Sequence, residues 1–484
     1  MRLLEGIFLV LALFGWIGSF FPKQIPPLYL LALAAAGGLL GLVEGLTEGV
    51  RFQLYPAYFV LGVVALFAAL AWRRSAKNEA PKARRRWPRV VSFILGLCLV
   101  ALSAALAVVL PVFSFESPRG PFAVGVTSYE WTDASRSDEH PKTPSGHRRL
   151  GVKIWYPAAP SNAAKEPYFS PTMARGTATA LKLPSFALSY LSLVSTYQTP
   201  EAPLAAEGDS FPILLFSHGY PGSASQNTFE LEELASHGYV VVGINHTYDT
   251  PLAVFKDGST VPAEIPDNLQ RLDALEKVLG PRLAVWVADA RFVLSEVIKL
   301  NETDSRFKGR LKIDRVGYLG HSFGGASAFA TLAADPRFRA GLNMDGGHFG
   351  ISADARPSQP YFLMNGAKLE IPDASLAKLG ITRQDADNFA RDVEGRWDRA
   401  CNVAKGPRYR AVFPGIPHVG FSDMTLIVPL LAGDLPARKA HRLINQYTLA
   451  FFDTYLKDKP DPLLESPAAD SALTFTSIPP SSLR

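Results

Sequence analysis

The first 113 residues alternate between long apolar segments and short polar connections. The segments cover residues 3–21, 27–46, 54–72 and 90–113. Each is close to the about 20 residues that an α-helix needs to cross the hydrocarbon core of a bilayer. Pro, Gly or charged residues bound every segment, and few polar residues lie inside them. The pattern predicts an all-α region over residues 1–113 with about four transmembrane helices.

The first segment has a second interpretation, which is a cleaved signal peptide. No A-x-A-like cleavage site follows it and three more apolar segments come after it, so we favour an uncleaved helix. Glu44 lies near the end of the second segment, which predicts an interfacial position rather than a place in an ion pathway. We expect no buried charge pairs among these helices, and this argues against a transport or assembly function.

A strongly basic connection separates the third and fourth segments, at residues 73–89. The positive-inside rule places such a loop in the cytoplasm, so the fourth helix leads outward and everything after Phe113 lies on the outer side. Lys23 then falls on the cytoplasmic side and Arg51 on the outer side. A basic run can also bind nucleic acid, but its position between two apolar segments favours membrane topology. The basic residues of this loop are Arg73, Arg74, Lys77, Lys82, Arg84, Arg85, Arg86 and Arg89.

From about residue 118 to residue 484, short apolar runs alternate with amphipathic stretches. Apolar runs without polar alternation are typical of a parallel sheet covered on both faces, and strand–helix alternation predicts a doubly wound α/β domain. Catalytic groups then gather at the carboxyl ends of the strands. Residues 150–156 differ, because their alternation is typical of a sheet edge. The other predicted strands cover residues 211–217, 239–244, 316–320, 340–344, 360–364 and 410–413, and the predicted helices cover residues 228–236, 283–300 and 437–455.

Two long inserts interrupt the α/β pattern, at residues 167–206 and 250–281. Connections of this length in a compact domain are usually functional or mobile. Both inserts are therefore candidates for a lid or a wall of an acyl pocket, with plain surface decoration as the alternative.

Length, charge and cysteine usage agree with a membrane region followed by an outer domain. The 484 residues exceed one ordinary domain, and the net charge of +5 comes largely from the basic loop. Cys98 lies in the fourth apolar segment and Cys401 in the outer domain, which excludes a disulfide between them. An exported domain of this size without disulfides suits a bacterial chain.

The sequence Gly-His-Ser-Phe-Gly at residues 320–324 is a G-x-S-x-G motif. A short apolar run precedes it, and small residues that can open a helix follow it. A serine between strand and helix sits on a strained turn that exposes its hydroxyl at the top of the sheet, as in the nucleophile elbow of α/β-hydrolases. A purely structural serine is the alternative, but the strand–turn–helix context favours Ser322 as a nucleophile.

A serine hydroxyl becomes a good nucleophile only when a general base takes its proton. In α/β-hydrolases the base is a histidine that follows both the serine and the acid in the chain. His418 lies in a Pro/Gly loop directly after a predicted strand, where the base is needed. His348 is too close in sequence to a candidate acid, and His441 lies within a predicted amphipathic helix as a surface or packing residue. We therefore identify His418 as the candidate base.

Two positions compete for the acid. Asp345 ends the predicted strand after the elbow, and two glycines give it a tight turn. Glu370 and Asp373 follow the next strand, which is the more frequent acid position in α/β-hydrolases. The pattern favours Asp345 and leaves the other position open.

An oxyanion hole needs two backbone N–H groups aimed at the developing charge. One donor is the residue after the nucleophile, Phe323, and the other comes from the turn after an earlier strand. The turn after residues 211–217 fits this role, with Tyr220 as the donor and Gly219 allowing the backbone to approach the substrate. His218 precedes the elbow in the chain and is expected to brace this substrate-binding loop rather than to act as a base.

Several stretches, taken in order, give the outer domain a family resemblance from about Gly120 to the last helix. It resembles the plasma-type platelet-activating-factor acetylhydrolases, the lipoprotein-associated phospholipases. In that family the acid follows the strand after the elbow, so the resemblance implies a triad of Ser322, Asp345 and His418. The stretches are Gly-Pro-Phe-Ala-Val-Gly at 120–125, Ile-Trp-Tyr-Pro at 154–157, Phe-Ser-His-Gly at 216–219, His-Gly-Tyr-Val-Val at 237–241, the elbow, and Asp-Pro-Arg-Phe-Arg at 335–339.

The chain departs from the family pattern in three places. Tyr220 stands where the family usually has an aliphatic residue, and Gly346-Gly347-His348 stands where bulky apolar residues usually follow the acid. Both changes lie near the acyl or leaving-group pocket and bear on substrate preference. The four-helix region has no counterpart in the soluble plasma-type enzymes.

The resemblance implies a calcium-independent serine esterase that needs no cofactor or metal and acts through an acyl-enzyme. With the membrane region, it predicts an enzyme for short or oxidised acyl esters of phospholipids, with the lipid bilayer as its other partner and no nucleic acid. The oligomeric state stays open. Alternatives are a broad carboxylesterase or polyester/dienelactone-type hydrolase and, less favoured, an inactive hydrolase-fold membrane receptor.

Overall fold

The computed structural model describes most of the chain. The described residues are 2–21, 24–77, 86–138, 146–266, 275–366, 373–374, 376, 380–465 and 472–479. Five residues named above lie outside them, namely Lys23, Lys82, Arg84, Arg85 and Glu370.

All four N-terminal apolar segments are helices, as predicted. They are α1 (Leu3–Gly18), α2 (Pro27–Thr47), α3 (Tyr55–Ala76) and α4 (Arg86–Val109). The last three are long and apolar enough to cross a membrane. Helix α1 has 16 residues, so it falls short of the length that a perpendicular span requires.

The expectation that this region lacks buried charge pairs is wrong. The guanidinium of Arg51 and the carboxylate of Glu5 pair with both side chains fully buried, and Tyr58 donates a hydrogen bond of 2.8 Å to the buried Glu44. These residues come from separate segments and each lies near a helix end in sequence. The fold collects them at one end of the four helices, which no single segment of sequence reveals.

The outer domain is built on a ten-stranded, mostly parallel sheet, which confirms the predicted α/β class. The strand order is β12-β11-β10-β9-β8-β4-β5-β2-β1-β3. The six strands from β11 to β5 pair in parallel, and so do β1 and β3. The β12–β11, β5–β2 and β2–β1 pairs are antiparallel. The strands are β1 (Ala123–Ser137), β2 (His147–Ala158), β3 (Gln198–Pro200), β4 (Phe211–Ser217), β5 (Val240–Asn245), β6 (Leu252–Val254), β7 (Thr260–Pro262), β8 (Leu311–His321), β9 (Phe338–Met344), β10 (Tyr361–Gly366), β11 (Arg408–Phe413) and β12 (Thr474–Ile478).

The predicted edge position of residues 150–156 is wrong. They form most of β2, which lies inside the sheet between β5 and β1. The alternation of apolar and polar residues gave the wrong position for this strand. The reason is that β1 and the short β3, which lie outside it, were not predicted as strands. Strands β6 and β7 form a separate hairpin within the second insert.

Helices cover both faces of the sheet, because side chains alternate along each strand. Leu214 and Phe216 of β4 join the cluster that includes α6 and the last helix, whereas Ile213 and Leu215 join the cluster that includes α7 and α8. The helices of this domain are α5 (Pro171–Ala180), α6 (Thr228–Ser236), α7 (Leu275–Thr303), α8 (Phe323–Ala334), α9 (Arg383–Val403), α10 (Met424–Ile427) and α11 (Ala437–Leu456).

The strand order reverses beside β4, and this reversal positions the candidate site. The chain runs from β4 to β5 on one side and later returns with β8 on the other side. The register pairs Ser217 at the end of β4 with Gly320 in β8. Because crevices form at the carboxyl ends of strands where the order reverses, the turns after β4 and β8 lie together.

Helix α6 carries an acid that burial forces toward its neutral form. The carboxylate of Glu232 accepts hydrogen bonds from the backbone N–H groups of Tyr197 and Gln198, at 2.8 and 3.0 Å. Burial nevertheless raises the pKa of Glu232 from 4.5 to about 8, because desolvation penalises the charge more than the two donors favour it.

We predict that Glu232 makes the fold less stable as the pH rises. Between pH 4.5 and about 8 the folded chain holds a proton that the unfolded chain has lost, so the free energy of unfolding falls with pH. The loss is about 1.4 kcal/mol for each pKa unit separating the two states. Chemical denaturation from pH 5 to pH 9 should show a shallower decline for Glu232→Gln than for wild type. The exposed Glu207→Gln is the control, and equal pH slopes for all three proteins would contradict the assignment.

Candidate active site

Ser322 occupies a strained turn between β8 and α8. Its backbone has φ 54° and ψ −122°, a conformation that residues other than glycine rarely adopt. A Cβ on Gly320 would lie 2.3 Å from the carbonyl carbon of Gly324, and a Cβ on Gly324 would lie 2.0 Å from the carbonyl oxygen of Ser217. Gly320 is therefore required for the turn to close on itself, and Gly324 for the elbow to pack against the end of β4.

The structure brings together the three residues that the sequence analysis selected. The Nε2 atom of His418 lies 3.0 Å from the Ser322 hydroxyl, and its Nδ1 atom lies 2.6 Å from the Asp345 carboxylate. The second Asp345 oxygen accepts a hydrogen bond of 2.9 Å from the backbone N–H of Gly366. A proton on Nδ1 would be held by the acid, which leaves Nε2 free to accept the hydroxyl proton.

The competing residues lie elsewhere. Asp373 is exposed and pairs with Arg383, and Glu370 is outside the described residues. His348 is buried, with its Nε2 atom 3.0 Å from the Tyr361 hydroxyl. His441 is a packing residue, because its ring stacks on Phe229 at a centroid distance of 3.8 Å.

The turn after β4 lies directly against the elbow. A Cβ on Gly219 would be 3.1 Å from the Cβ of Ser322, so the backbone of this turn borders the serine. The N–H of Phe323 is at the start of α8, where helix geometry provides no acceptor within the helix. His218 is fully buried with its Nδ1 atom 2.7 Å from the Gly219 carbonyl oxygen, so it supports the turn from beneath. Tyr220 lines the pocket that opens at Ser322.

Gln226 joins the three loops of the site, and the sequence analysis missed it. Its Oε1 atom accepts a hydrogen bond of 3.1 Å from the Gly219 N–H, and its Nε2 atom lies 2.6 Å from the Nδ1 atom of His321. The Nε2 atom of His321 in turn lies 2.9 Å from the carbonyl oxygen of His418. Burial lowers the pKa of His321 to about 3, so this ring is neutral and can accept from Gln226 while it donates to His418. No sequence motif marks Gln226.

A second Ser-His-Asp chain lies beneath the same turn. The Ser217 hydroxyl is 2.8 Å from His246 Nε2, and His246 Nδ1 is 2.8 Å from the Asp289 carboxylate. Arg148 also donates to Asp289, at 2.7 Å. Ser217, His246 and Asp289 are all fully buried. Because no ester can reach Ser217, this chain has a structural role only.

A largely apolar pocket of about 300 Å³ opens at Ser322. Three of its lining residues, Phe389, Val393 and Trp397, come from α9, a helix that the sequence analysis did not assign. The Trp397 indole donates a hydrogen bond of 2.8 Å to the carbonyl oxygen of Gly346, which ties α9 to the loop after Asp345. The other lining residues are Tyr220, Leu275, Leu279, Ser322, Phe323, Ala326, Asp345, Gly347, Phe349 and His418.

The chain is similar to known esterases in both structure and sequence. The structure is similar to a ferulic acid esterase from Streptomyces cinnamoneus, with 26% identity and a TM-score of 0.61 over 76% of this chain and 100% of that chain. A probable 1-alkyl-2-acetylglycerophosphocholine esterase of Arthroderma benhamiae is 27% identical over 77% of this chain and 96% of that protein. The fold and these relatives define the chain as an ester hydrolase of the α/β-hydrolase class.

A family model matches most of the catalytic domain. The family model described as platelet-activating factor acetylhydrolase, isoform II, matches residues 112–268 and 289–466. A platelet-activating factor acetylhydrolase of Cavia porcellus is 27% identical over 70% of this chain and 77% of that protein. The chain belongs to the platelet-activating factor acetylhydrolase, isoform II, family, which confirms the resemblance seen in the sequence.

We predict that Gln226→Leu lowers kcat for a soluble ester at least tenfold with little change in KM. The substitution removes the link between the turn after β4 and His321, which contacts the His418 loop. A displacement of about 1 Å in a reacting group can cost a hundredfold in rate. The control is Gln384→Leu on the exposed face of α9, which should leave kcat unchanged. The melting temperature of both variants shows whether the fold survives, and a folded Gln226→Leu enzyme with wild-type kcat would contradict the assignment.

Proposed function

We propose that the chain is a membrane-anchored, calcium-independent serine hydrolase that cleaves short or oxidised acyl esters of phospholipids. The observation that carries this proposal is the Ser322–His418–Asp345 relay, with distances of 3.0 and 2.6 Å, at the mouth of an apolar pocket. Membership of an acetylhydrolase family supports the ester chemistry.

The proposed reaction has two halves. Ser322 attacks the ester carbonyl while His418 Nε2 takes the hydroxyl proton, and the same proton then passes to the leaving alcohol as the acyl-enzyme forms. Water attacks the acyl-enzyme with His418 again as the base, which releases the carboxylic acid. Asp345 holds the His418 tautomer, and the backbone N–H groups of Tyr220 and Phe323 are assigned to the oxyanion.

The size of the pocket limits the length of the acyl chain that it can hold. A volume of about 300 Å³ is ten times the roughly 30 Å³ that a water molecule occupies in the liquid. An acyl chain of up to about eight carbons would fit on this scale. An unbroken fatty acyl chain of a membrane lipid would extend beyond the pocket, so the dimensions favour acetyl, short or oxidatively truncated acyl groups.

The N-terminal helices bear on the source of the substrate. Helices α2, α3 and α4 are each long and apolar enough to cross a bilayer. Under the positive-inside rule, the basic connection between α3 and α4 places the hydrolase domain on the outer side. An esterase fixed at a membrane surface meets lipid esters at high local concentration.

A broad carboxylesterase is the second candidate function. Aromatic side chains form much of the pocket wall, including Phe349, Phe389 and Trp397. The similarity to a ferulic acid esterase makes an aromatic acyl group a specific alternative to a short aliphatic one.

We predict that Ser322→Ala lowers ester hydrolysis at least a thousandfold, because the nucleophile is lost. The purified full chain should be assayed with p-nitrophenyl acetate, octanoate and palmitate, an acetylated ether phospholipid and methyl ferulate, each with and without EDTA. Cleavage of the phospholipid and short esters in EDTA would support the first proposal. Turnover of methyl ferulate without the phospholipid would favour the broad esterase. Equal activity in wild type and Ser322→Ala would contradict both.

We predict that Phe389→Ala shifts the acyl preference toward longer chains. Removing the ring enlarges the pocket on the α9 side, so kcat/KM for the palmitate ester should rise at least fivefold relative to the acetate ester. The leaving group is the same in all p-nitrophenyl esters, which makes the ratio a direct measure of the acyl site. An unchanged ratio in a folded variant would place the acyl group outside this pocket.

A further inference from the structure

The connection between α2 and α3 packs against the first insert of the catalytic domain. The Phe52 ring lies 5.3 Å from the Phe186 ring and 6.4 Å from the Tyr190 ring, measured between centroids. The Leu193 side chain packs against Gly49, because a Cβ there would lie 2.4 Å from it. This contact joins the helical region to residues 186–193 in addition to the covalent link between the two parts.

A buried ion cluster fixes this connection to the helices. Arg51 is fully buried, pairs with Glu5 of α1 and donates a hydrogen bond of 2.7 Å to the carbonyl oxygen of Leu110 after α4. Arg2 pairs with Glu48 at 3.0 Å, at the same end of the helices. Because a buried charge that loses its partner is strongly destabilising, the cluster holds the connection in one position.

The covalent link is also attached to the catalytic domain along its length. Arg438, in the first turn of α11, donates to the Ser114 carbonyl oxygen at 3.0 Å, and Arg119 pairs with Glu233 at 3.1 Å. The Gly120 N–H donates to the hydroxyl of Ser236 at the end of α6, at 3.1 Å. Two separate attachments fix the orientation of the catalytic domain relative to the helices, whereas a single flexible tether would not.

The attached insert presents apolar side chains next to the helix ends. Leu181, Leu183 and Phe186 are 47%, 44% and 53% exposed. Val50 and Tyr55, which flank the Phe52 contact in sequence, are 58% and 55% exposed. These exposed apolar side chains lie next to the ends of membrane-crossing helices. The bilayer surface is therefore the occupant that suits this apolar patch.

The first insert lies beside the second insert, which contacts the proposed oxyanion turn. Helix α5 and the segment around Ile265 line an open cavity of about 550 Å³. The adjacent Glu264 carbonyl oxygen accepts a hydrogen bond of 3.0 Å from the Tyr220 hydroxyl. These neighbouring segments lead from the helix ends, through the first and second inserts, to the turn beside Ser322.

We propose that the helical region does more than anchor the enzyme. Its α2–α3 connection binds the 181–193 segment and holds the entrance of the active site on the bilayer surface, so that lipid esters reach Ser322 from the membrane. This inference rests on the proposed membrane anchoring.

Lipid-phase quenching tests the orientation directly. Single cysteines at Leu183, Phe59 and Ile313 would be introduced into full-length Cys98→Ser, Cys401→Ser protein, labelled with bimane and reconstituted in brominated phosphatidylcholine vesicles. Phe59 lies on the exposed face of α3, and Ile313 lies near the start of β8, at the opposite end of that strand from Ser322. We expect strong quenching at Phe59→Cys and Leu183→Cys and at least threefold weaker quenching at Ile313→Cys.

The other outcomes separate the two proposals. Quenching at Phe59→Cys without quenching at Leu183→Cys leaves the anchoring intact and overturns the orientation. Equal quenching at Leu183→Cys and Ile313→Cys also overturns it. If no position is quenched, the anchoring itself fails and the inference falls with it. A soluble partner protein that protects Leu183→Cys where lipid does not would also overturn the bilayer as the occupant.

Enzyme assays with Phe52→Ala give an independent test. The variant loses the contact with the insert, so hydrolysis of an acetylated ether phospholipid in phosphatidylcholine vesicles should fall at least fivefold. Hydrolysis of soluble p-nitrophenyl acetate should stay within twofold of wild type. Phe59→Ala, a matched change on the lipid-facing side of α3, should alter neither rate. Equal losses on both substrates, or no loss on either, would contradict the proposal.

Discussion

The turn after β4 and the elbow after β8 touch backbone to backbone, and the arrangement of the site depends on that contact. The Gly324 Cα lies so near the Ser217 carbonyl oxygen that a side chain there would overlap it at 2.0 Å. On the other side, a Cβ on Gly346 would lie 2.2 Å from the Ser322 carbonyl oxygen. The serine is thus held between the loops that follow β4 and β9, which fixes its unusual backbone conformation.

Sequence alone could predict the parts of the site that have local signatures. Ser322 was identifiable because the elbow needs small residues at fixed spacing, and His418 because the base must follow a late strand. Asp345 needed the family resemblance, since the strand pattern left two positions open. Gln226 was not predictable, because its partners Gly219 and His321, and the His418 carbonyl oxygen that His321 contacts in turn, meet only in the folded chain.

The wrong predictions about the fold also concern residues whose neighbours are distant in the sequence. The alternation of β2 indicated an edge only because β1 was not recognised as a strand outside it. In the helical region, the buried pair of Glu5 and Arg51 was not expected because the two residues lie in separate segments of the sequence. Periodicity reports which face of one element is apolar, but it contains no information on which element lies next to it.

The two Ser-His-Asp chains show why residue types do not by themselves define a site. Ser217 lies at the end of a regular strand with its hydroxyl enclosed by His246 and Tyr318, at 2.8 and 2.7 Å. Ser322 lies on a strained turn, and its partner His418 is 41% exposed. The chemistry differs because access and backbone conformation differ, while the hydrogen-bond lengths are nearly the same. The buried chain fixes the hydroxyl at the end of β4 through hydrogen bonds, and the turn that borders Ser322 begins directly after it.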